Sequence, residues 1–165
     1  MTRHARLGLL VAALVIAADQ ASKWWMLTLV MQPPHRIPAL PFLDLVHAWN
    51  RGISFGLFNQ GSIVWSWLLS GLAIAIAGAL LVWLRKAEKA GIAVNLGAII
   101  GGALGNVADR VQHGAVYDFL YFHVGSFDWW PAFNLADSAI SLGAVYLIGD
   151  SLFARDKMGP KMEGS

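Results

Sequence analysis

The chain has 165 residues, enough for one domain, of which 57% are hydrophobic and only 13% charged. A soluble domain usually carries about 25% charge, and the mean hydropathy of +0.56 adds to the case against a soluble enzyme. The absence of cysteine excludes disulfides, thiol catalysis and zinc–thiolate sites, and the net charge of +2 does not point to nucleic acid, because the basic residues gather at the ends of apolar segments.

Four membrane helices are predicted in chain order. The first runs from about Leu7 to Met31 and contains Asp19 and Lys23. Arg3 and Arg6 followed by Leu7 to Ala18 also have the form of a cleaved signal peptide. The apolar run resumes at Trp24-Trp25-Met26-Leu27-Thr28-Leu29-Val30, however, which makes the segment long enough to span. Residues 32–61 form a long connection containing Pro33, Pro34, Pro38 and Pro41, and the alternation in Phe42-Leu43-Asp44-Leu45-Val46-His47 reads as short strands and turns. The second helix is predicted over Ser62 to Leu84, within a stretch that has no charged residue from Gly52 onward. The third spans Gly91 to about Ala108, inside an uncharged run from Ala90. A second long connection covers Arg110 to Ala132, and the fourth helix runs from about Phe133 to Phe153 with Asp137 and Asp150 inside it. Each segment reaches the roughly 18 apolar residues that mark a spanning helix. At ~1.5 Å per residue each matches a hydrocarbon core near 30 Å. The expectation is an all-α membrane protein with four transmembrane helices, a single integral membrane domain over residues 1–165, and a small β-containing segment outside the membrane.

Lys and Arg set the orientation. Four spans place both termini and the short loop after the second helix on one side. That side holds Arg3, Arg6, Arg85, Lys86, Lys89, Arg155, Lys157 and Lys161, against Arg36, Arg51 and Arg110 on the other. Both termini are therefore expected in the cytoplasm, with the long loops outside. Trp65 and Trp67 at one end of the second helix, Trp83 at the other, and Trp129 and Trp130 before the fourth read as interface anchors.

The polar residues cluster toward the outer ends of the helices. Asp19 and Lys23 are spaced i, i+4 on one face, a spacing that suits a neutralised structural pair. Gly97, Gly101 and Gly105 recur every fourth residue, which suits close helix packing. Asn106 and Arg110 share a face of the same helix. Asn134 has the position of an N-cap and Asp137 that of a first-turn charge. Together with Asp118 in Val116-Tyr117-Asp118-Phe119, Asp137 makes a second possibility: two carboxylates at the ends of one outer loop. A close pair of that kind shares a proton, one member acting as base and the other as acid. The outer histidines His35, His47, His113 and His123 lack metal-ligand spacing. A Ser/Lys dyad such as Ser54 with Lys23 is the competing enzymatic arrangement. A small transporter or assembly factor using Asp19, Lys23, Asp137 and Asp150 is the competing non-enzymatic reading. Against it, the polar cluster sits at one face, whereas transport sites usually lie near the midplane.

Five stretches in order resemble the lipoprotein signal peptidases, the signal peptidase II family of aspartic peptidases of the bacterial inner membrane. They are Asp19-Gln20-Ala21-Ser22-Lys23, Asn50-Arg51-Gly52-Ile53-Ser54-Phe55-Gly56, Gly101 to Arg110, Val116-Tyr117-Asp118-Phe119 and Phe133-Asn134-Leu135-Ala136-Asp137. The resemblance covers nearly the whole chain. It implies removal of signal peptides from diacylglyceryl-modified prolipoproteins, with cleavage just before the lipidated cysteine. It implies Asp118 and Asp137 as the catalytic pair, and Asn50, Gly52, Asn106, Arg110 and Asn134 as residues lining the site. Asp19 and Lys23 become structural or site-supporting. It further implies that residues 32–61 cradle substrate, that no metal or organic cofactor is needed, and that the partners are prolipoproteins and membrane lipids. A monomer is expected.

Overall fold

A computed structural model describes residues 1–52, 63–125 and 130–156. Among them lie α1 (Arg3–Trp25), β1 (Ile37–Leu40), β2 (Leu43–Asn50), α2 (Ile63–Arg85), α3 (Ala90–His113), β3 (Val116–Phe122) and α4 (Leu135–Asp156). All four helices are long and apolar enough to cross a membrane. Ser54 and its neighbours in the second motif, Trp129, Lys157 and Lys161 lie outside the described residues.

The helix ends follow local chemistry. Thr2 caps α1, its hydroxyl accepting from the Ala5 amide at 3.0 Å. The first span ends in a π-helical turn, Met26–Val30, closed by the Met31 amide donating to the Met26 carbonyl. The expected end of the third helix at Ala108 is corrected: α3 continues to His113. Asp109 and Arg110 do not break it, because Asp109 finds buried partners and Arg110 reaches a cavity. It stops at Gly114, whose φ of +72° is a left-handed conformation that only glycine adopts freely, and whose amide donates to the Arg110 carbonyl. The start of the fourth helix is corrected from Phe133 to Leu135, since Phe133 pairs with a strand and Asn134 caps.

Helix α3 is the centre of the bundle. Of its most apolar window 56% is buried within the protein, against 22%, 17% and 11% for α1, α2 and α4, whose outer faces are left exposed. The Gly97, Gly101, Gly105 stripe faces α1. A Cβ on Gly97 would sit 2.1 Å from the Gly8 carbonyl oxygen, and one on Gly101 would sit 2.6 Å from that of Ala12. On another face, a Cβ on Gly102 would meet the Ala136 carbonyl of α4 at 2.5 Å. Glycine lets three helix backbones approach as close as side chains normally do. The end formed by Gly8, Leu84 and Ala93 is also packed, so the basic residues of the first helix and of the α2–α3 turn share one end.

At the opposite end stands an antiparallel sheet of order β1-β2-β3. Its third strand comes from the second long connection, where the sequence alone places no strand. Val116-Tyr117-Asp118-Phe119-Leu120-Tyr121-Phe122 is a β-branched and aromatic run, and it pairs along β2 from Asn50↔Val116 to Leu43↔Phe122. Tyr117 and Phe119 are buried against Met26 and Met31 of the first span, which fixes the sheet on the bundle. Arg36 and His123 flank Asp44 on β2. Burial alone would raise the Asp44 pKa, but these two neighbours hold it below the usual carboxylate value.

Candidate active site

The sheet and the start of α4 are joined by backbone hydrogen bonds. Phe133 and Leu120 exchange amide-to-carbonyl bonds, each of 2.8 Å. This bridge brings the first turn of α4 beside β3. Asn134 then forms a reciprocal cap with Asp137: the Asp137 amide donates to Asn134 Oδ1 at 2.9 Å, and Asp137 Oδ2 accepts from the Asn134 amide at 3.2 Å. The Asn134 side chain has a second use. Its Nδ2 donates to Asp118 Oδ1 at 2.7 Å and lies 3.2 Å from Asn106 Oδ1. One asparagine thus holds Asp137 through its cap and Asp118 through its amide. The bland reading of Asn134 and Asp137 as a helix start is correct and incomplete.

Asp118 and Asn50 meet through sheet register. Ala48 lies opposite Asp118, and Asn50 is two residues further along β2 on the same face. Asn50 Nδ2 reaches Asp118 Oδ2 at 3.2 Å, while Asn50 Oδ1 accepts from the Gly52 amide at 3.1 Å in an Asx turn that orients the group. Asn106 of α3 donates to Asp137 Oδ1 at 2.8 Å.

A buried charged layer lies beneath these groups. Lys23 Nζ contacts Asp19 Oδ2 at 2.7 Å, Asp109 Oδ2 at 2.8 Å and Asn106 Oδ1 at 3.2 Å, so its three N–H bonds are all engaged. Asp19 Oδ1 accepts from the Ala136 amide of α4, and Asp109 Oδ2 accepts from the Tyr117 amide of β3, both at 3.0 Å. Gln20 donates to Asp109 Oδ1 at 2.8 Å. The network ties α1, α3, β3 and α4 together, so the carboxylates above it stand on a fixed base. Gly105 leaves room for it, since a Cβ there would lie 2.7 Å from Asp19 Oδ2. Asp109 and Gln20 are supporting residues to which the sequence alone assigns no role. The signal is present in the spacing of Asn106 and Asp109, i and i+3 on one helical face.

A cavity of about 150 Å³ opens beside the carboxylates, lined among others by Asn50, Gly52, Asn106, Arg110 and Asp137. Asp118 is one hydrogen bond away through Asn50. Arg110 reaches the same space, and its buried Nε has no hydrogen-bond partner among the described residues. Asp118 is 2% exposed. Burial, and then the nearby charge of Asp137, push its pKa up to about 7, against the opposing hydrogen bonds from Asn50 and Asn134. Near neutral pH Asp118 therefore keeps a proton in a substantial share of molecules, beside a water-sized space that Asp137 lines. The structure brings together every site residue expected from the sequence. Lys23 is spent on Asp19, Asp109 and Asn106, which leaves it poorly placed as the base of a Ser/Lys dyad. Asp150 stands apart at the other end, 3.3 Å from Lys89.

Comparison with known proteins places the chain in a family. Residues 11–153 match the family model of signal peptidase (SPase) II. A lipoprotein signal peptidase of Methylorubrum extorquens (strain PA1) is 47% identical over 150 residues, covering 89% of this chain and 86% of that protein. One from Methylocella silvestris is 47% identical over 149 residues, covering 90% and 86%. A solved bacterial membrane enzyme structure, obtained by the in meso method, superposes with a TM-score of 0.78 at 27% identity, covering 96% of this chain and 94% of that one. A match over most of the length, carried on four membrane-competent helices, makes this chain a multi-pass membrane protein of the signal peptidase II family.

Proposed function

We propose that the protein is an aspartic endopeptidase that removes signal peptides from diacylglyceryl-modified prolipoproteins, cutting just before the lipidated cysteine, with Asp118 and Asp137 as its catalytic pair. The observation that carries this is the joint hold of Asn134 on both carboxylates beside a cavity. Asp137 lines that cavity and is placed to take a proton from a water. Asp118 enters protonated and donates a hydrogen bond to the scissile carbonyl. The water oxygen attacks the carbonyl carbon, the C–N bond breaks, and the departing amine receives the proton taken from water. Arg110 and Asn50 hold the substrate backbone across the gap.

An apolar groove of about 240 Å³ supports the substrate class. It lies between α2, α3 and α4, lined by Leu69, Leu72, Ala73, Ile76, Ile99 and Ala103, and it leads to Asn106 and Arg110. Small Ala73 and Ala103 suit the approach of another helix, as a signal peptide would be. The distribution of Lys and Arg favours cytoplasmic termini and a site at the extracytoplasmic face of the inner membrane. A gel-shift assay on purified protein in detergent tests the reading. Cleavage of a diacylglyceryl-modified prolipoprotein is expected, with the unmodified precursor left intact. Equal cleavage of both, or of neither by folded protein, overturns it.

A further inference from the structure

Helix α2 leaves most of its surface exposed, yet it buries two hydroxyls near its sheet end: Ser66 is 2% exposed and Ser70 3%. By spacing they share a face with Ala77 and Leu84, which pack with Ala93, Leu96 and Ile100 of α3. The two serines are satisfied differently. Ser70 donates to the Ser66 carbonyl one turn back, 2.7 Å away, as a serine inside a helix commonly does. Ser66 donates across to the Gly114 carbonyl at 2.6 Å. Gly114 is the left-handed corner at which α3 ends, and β3 begins at Val116. Arg110 lies one turn before that corner, and Asp118 follows soon after it.

The bond therefore acts where the walls of the site meet. Leu69, one turn further along α2, lines both the small polar cavity and the apolar groove. Arg110 and Val116, on either side of the Gly114 corner, line the same polar cavity. Resting on the function proposed above, we infer that Ser66 is a positioning residue: its hydrogen bond clamps the first turn of α2 onto the α3–β3 corner and so sets the width of the mouth by which substrate reaches the carboxylates. Asp118 and Asp137 are gripped by Asn50, Asn106 and Asn134, from β2, α3 and the cap of α4, so α2 supplies a wall and not the grip. Loss of the bond frees the wall and leaves the carboxylates in place. Substrate then binds only those molecules in which the wall is closed, which raises KM. Once bound it restores the closed form, which preserves kcat. A hydroxyl that merely stabilised the fold would lower the amount of active protein and leave KM unchanged.

The test compares wild type, Ser66→Ala and Ser70→Ala, each the full chain in detergent, on a diacylglyceryl-modified prolipoprotein. In Ser66→Ala, KM is expected to rise about fivefold, the factor carried by one ordinary hydrogen bond, with kcat near that of wild type. Ser70→Ala removes an equally buried hydroxyl whose bond stays within α2, and KM should not move. A second readout needs no substrate. Because the chain has no cysteine, nitroxides attached through Trp67→Cys and Val111→Cys, both at exposed positions, report the separation of the α2 and α3 ends by pulsed electron paramagnetic resonance. The distance distribution should lengthen and broaden in Ser66→Ala alone. An unchanged KM with lowered kcat, an unchanged distance distribution, or equal effects of the two serine variants overturns the inference. The proposed reaction fails separately, if folded wild type leaves the prolipoprotein uncut, and the distance measurement then still decides whether Ser66 holds α2 in place.

Discussion

Replacing Asp118 by Asn should change the pH dependence of stability in a direction set by its burial. In the unfolded chain the carboxyl titrates at the ordinary 3.8, and in the folded protein at about 7. Between those values the native state binds more protons than the unfolded state, so wild type loses stability as pH rises through the window. The contribution is fully present below 3.8 and gone above about 7. At about 1.4 kcal/mol per pKa unit, a displacement of that size amounts to about 4 kcal/mol. The amide of the Asp118→Asn variant does not titrate, so its stability curve lacks that decline. Against this stands a lost acceptor for Asn50 or Asn134, worth about 1 kcal/mol at every pH. Asp118→Asn should therefore match or fall below wild type at about pH 4 and exceed it by about 3 kcal/mol at about pH 8, on the order of 10 °C in melting temperature. Thermal unfolding in detergent across that pH range reads this directly. Parallel curves for the two proteins would refute the assignment of a displaced titration to Asp118.

Peptidase activity should carry the same signature: kcat/KM should fall above about pH 7 as Asp118 loses its proton, and Asp137→Asn should lower the Asp118 titration seen in unfolding, because the Asp137 charge is one cause of its displacement. Asn134→Ala removes a helix cap and the amide that holds Asp118. A stability loss of about 1–3 kcal/mol is expected together with a large fall in kcat, which a steady-state assay separates from KM. Lys23→Met leaves Asp19 and Asp109 buried without their cation, at a cost of about 3–5 kcal/mol, readable as a lowered melting temperature. Gly97→Leu drives a side chain into the Gly8 backbone and should prevent accumulation of folded protein, measured by size-exclusion chromatography. Because the chain has no cysteine, Glu88→Cys and His35→Cys give a clean topology test, with only the second labelled by an impermeant maleimide from outside.

The four spans are legible because lipid demands continuous apolar length, and Leu69 to Leu84 or Ala90 to Ala103 satisfy that demand without reference to neighbours. The glycine stripe of α3 is legible for the same reason, since its period alone puts it on one face. The third strand is not. Its residues favour β-structure, but pairing depends on β2, more than 60 positions away in the chain. The site is visible as a set of polar residues at one end of the bundle. Its organisation is not, because Asn134 serves as a cap and as a bridge to Asp118, and the Phe133–Leu120 pairing, made across the chain, brings the two together. Asp109 escapes a sequence reading because a charged residue at the end of an apolar run resembles a boundary, whereas a buried lysine waiting beneath it lets the helix continue.

The central claim is that Asp118 and Asp137 act as one unit on the scissile bond. Single-turnover cleavage of a lipidated prolipoprotein by wild type, Asp118→Asn, Asp137→Asn and the double variant tests it most directly. Each single replacement should remove most of the rate, and the double should be little worse than either, because paired groups fail together. A single variant that cleaves at close to the wild-type rate while remaining folded would contradict the account.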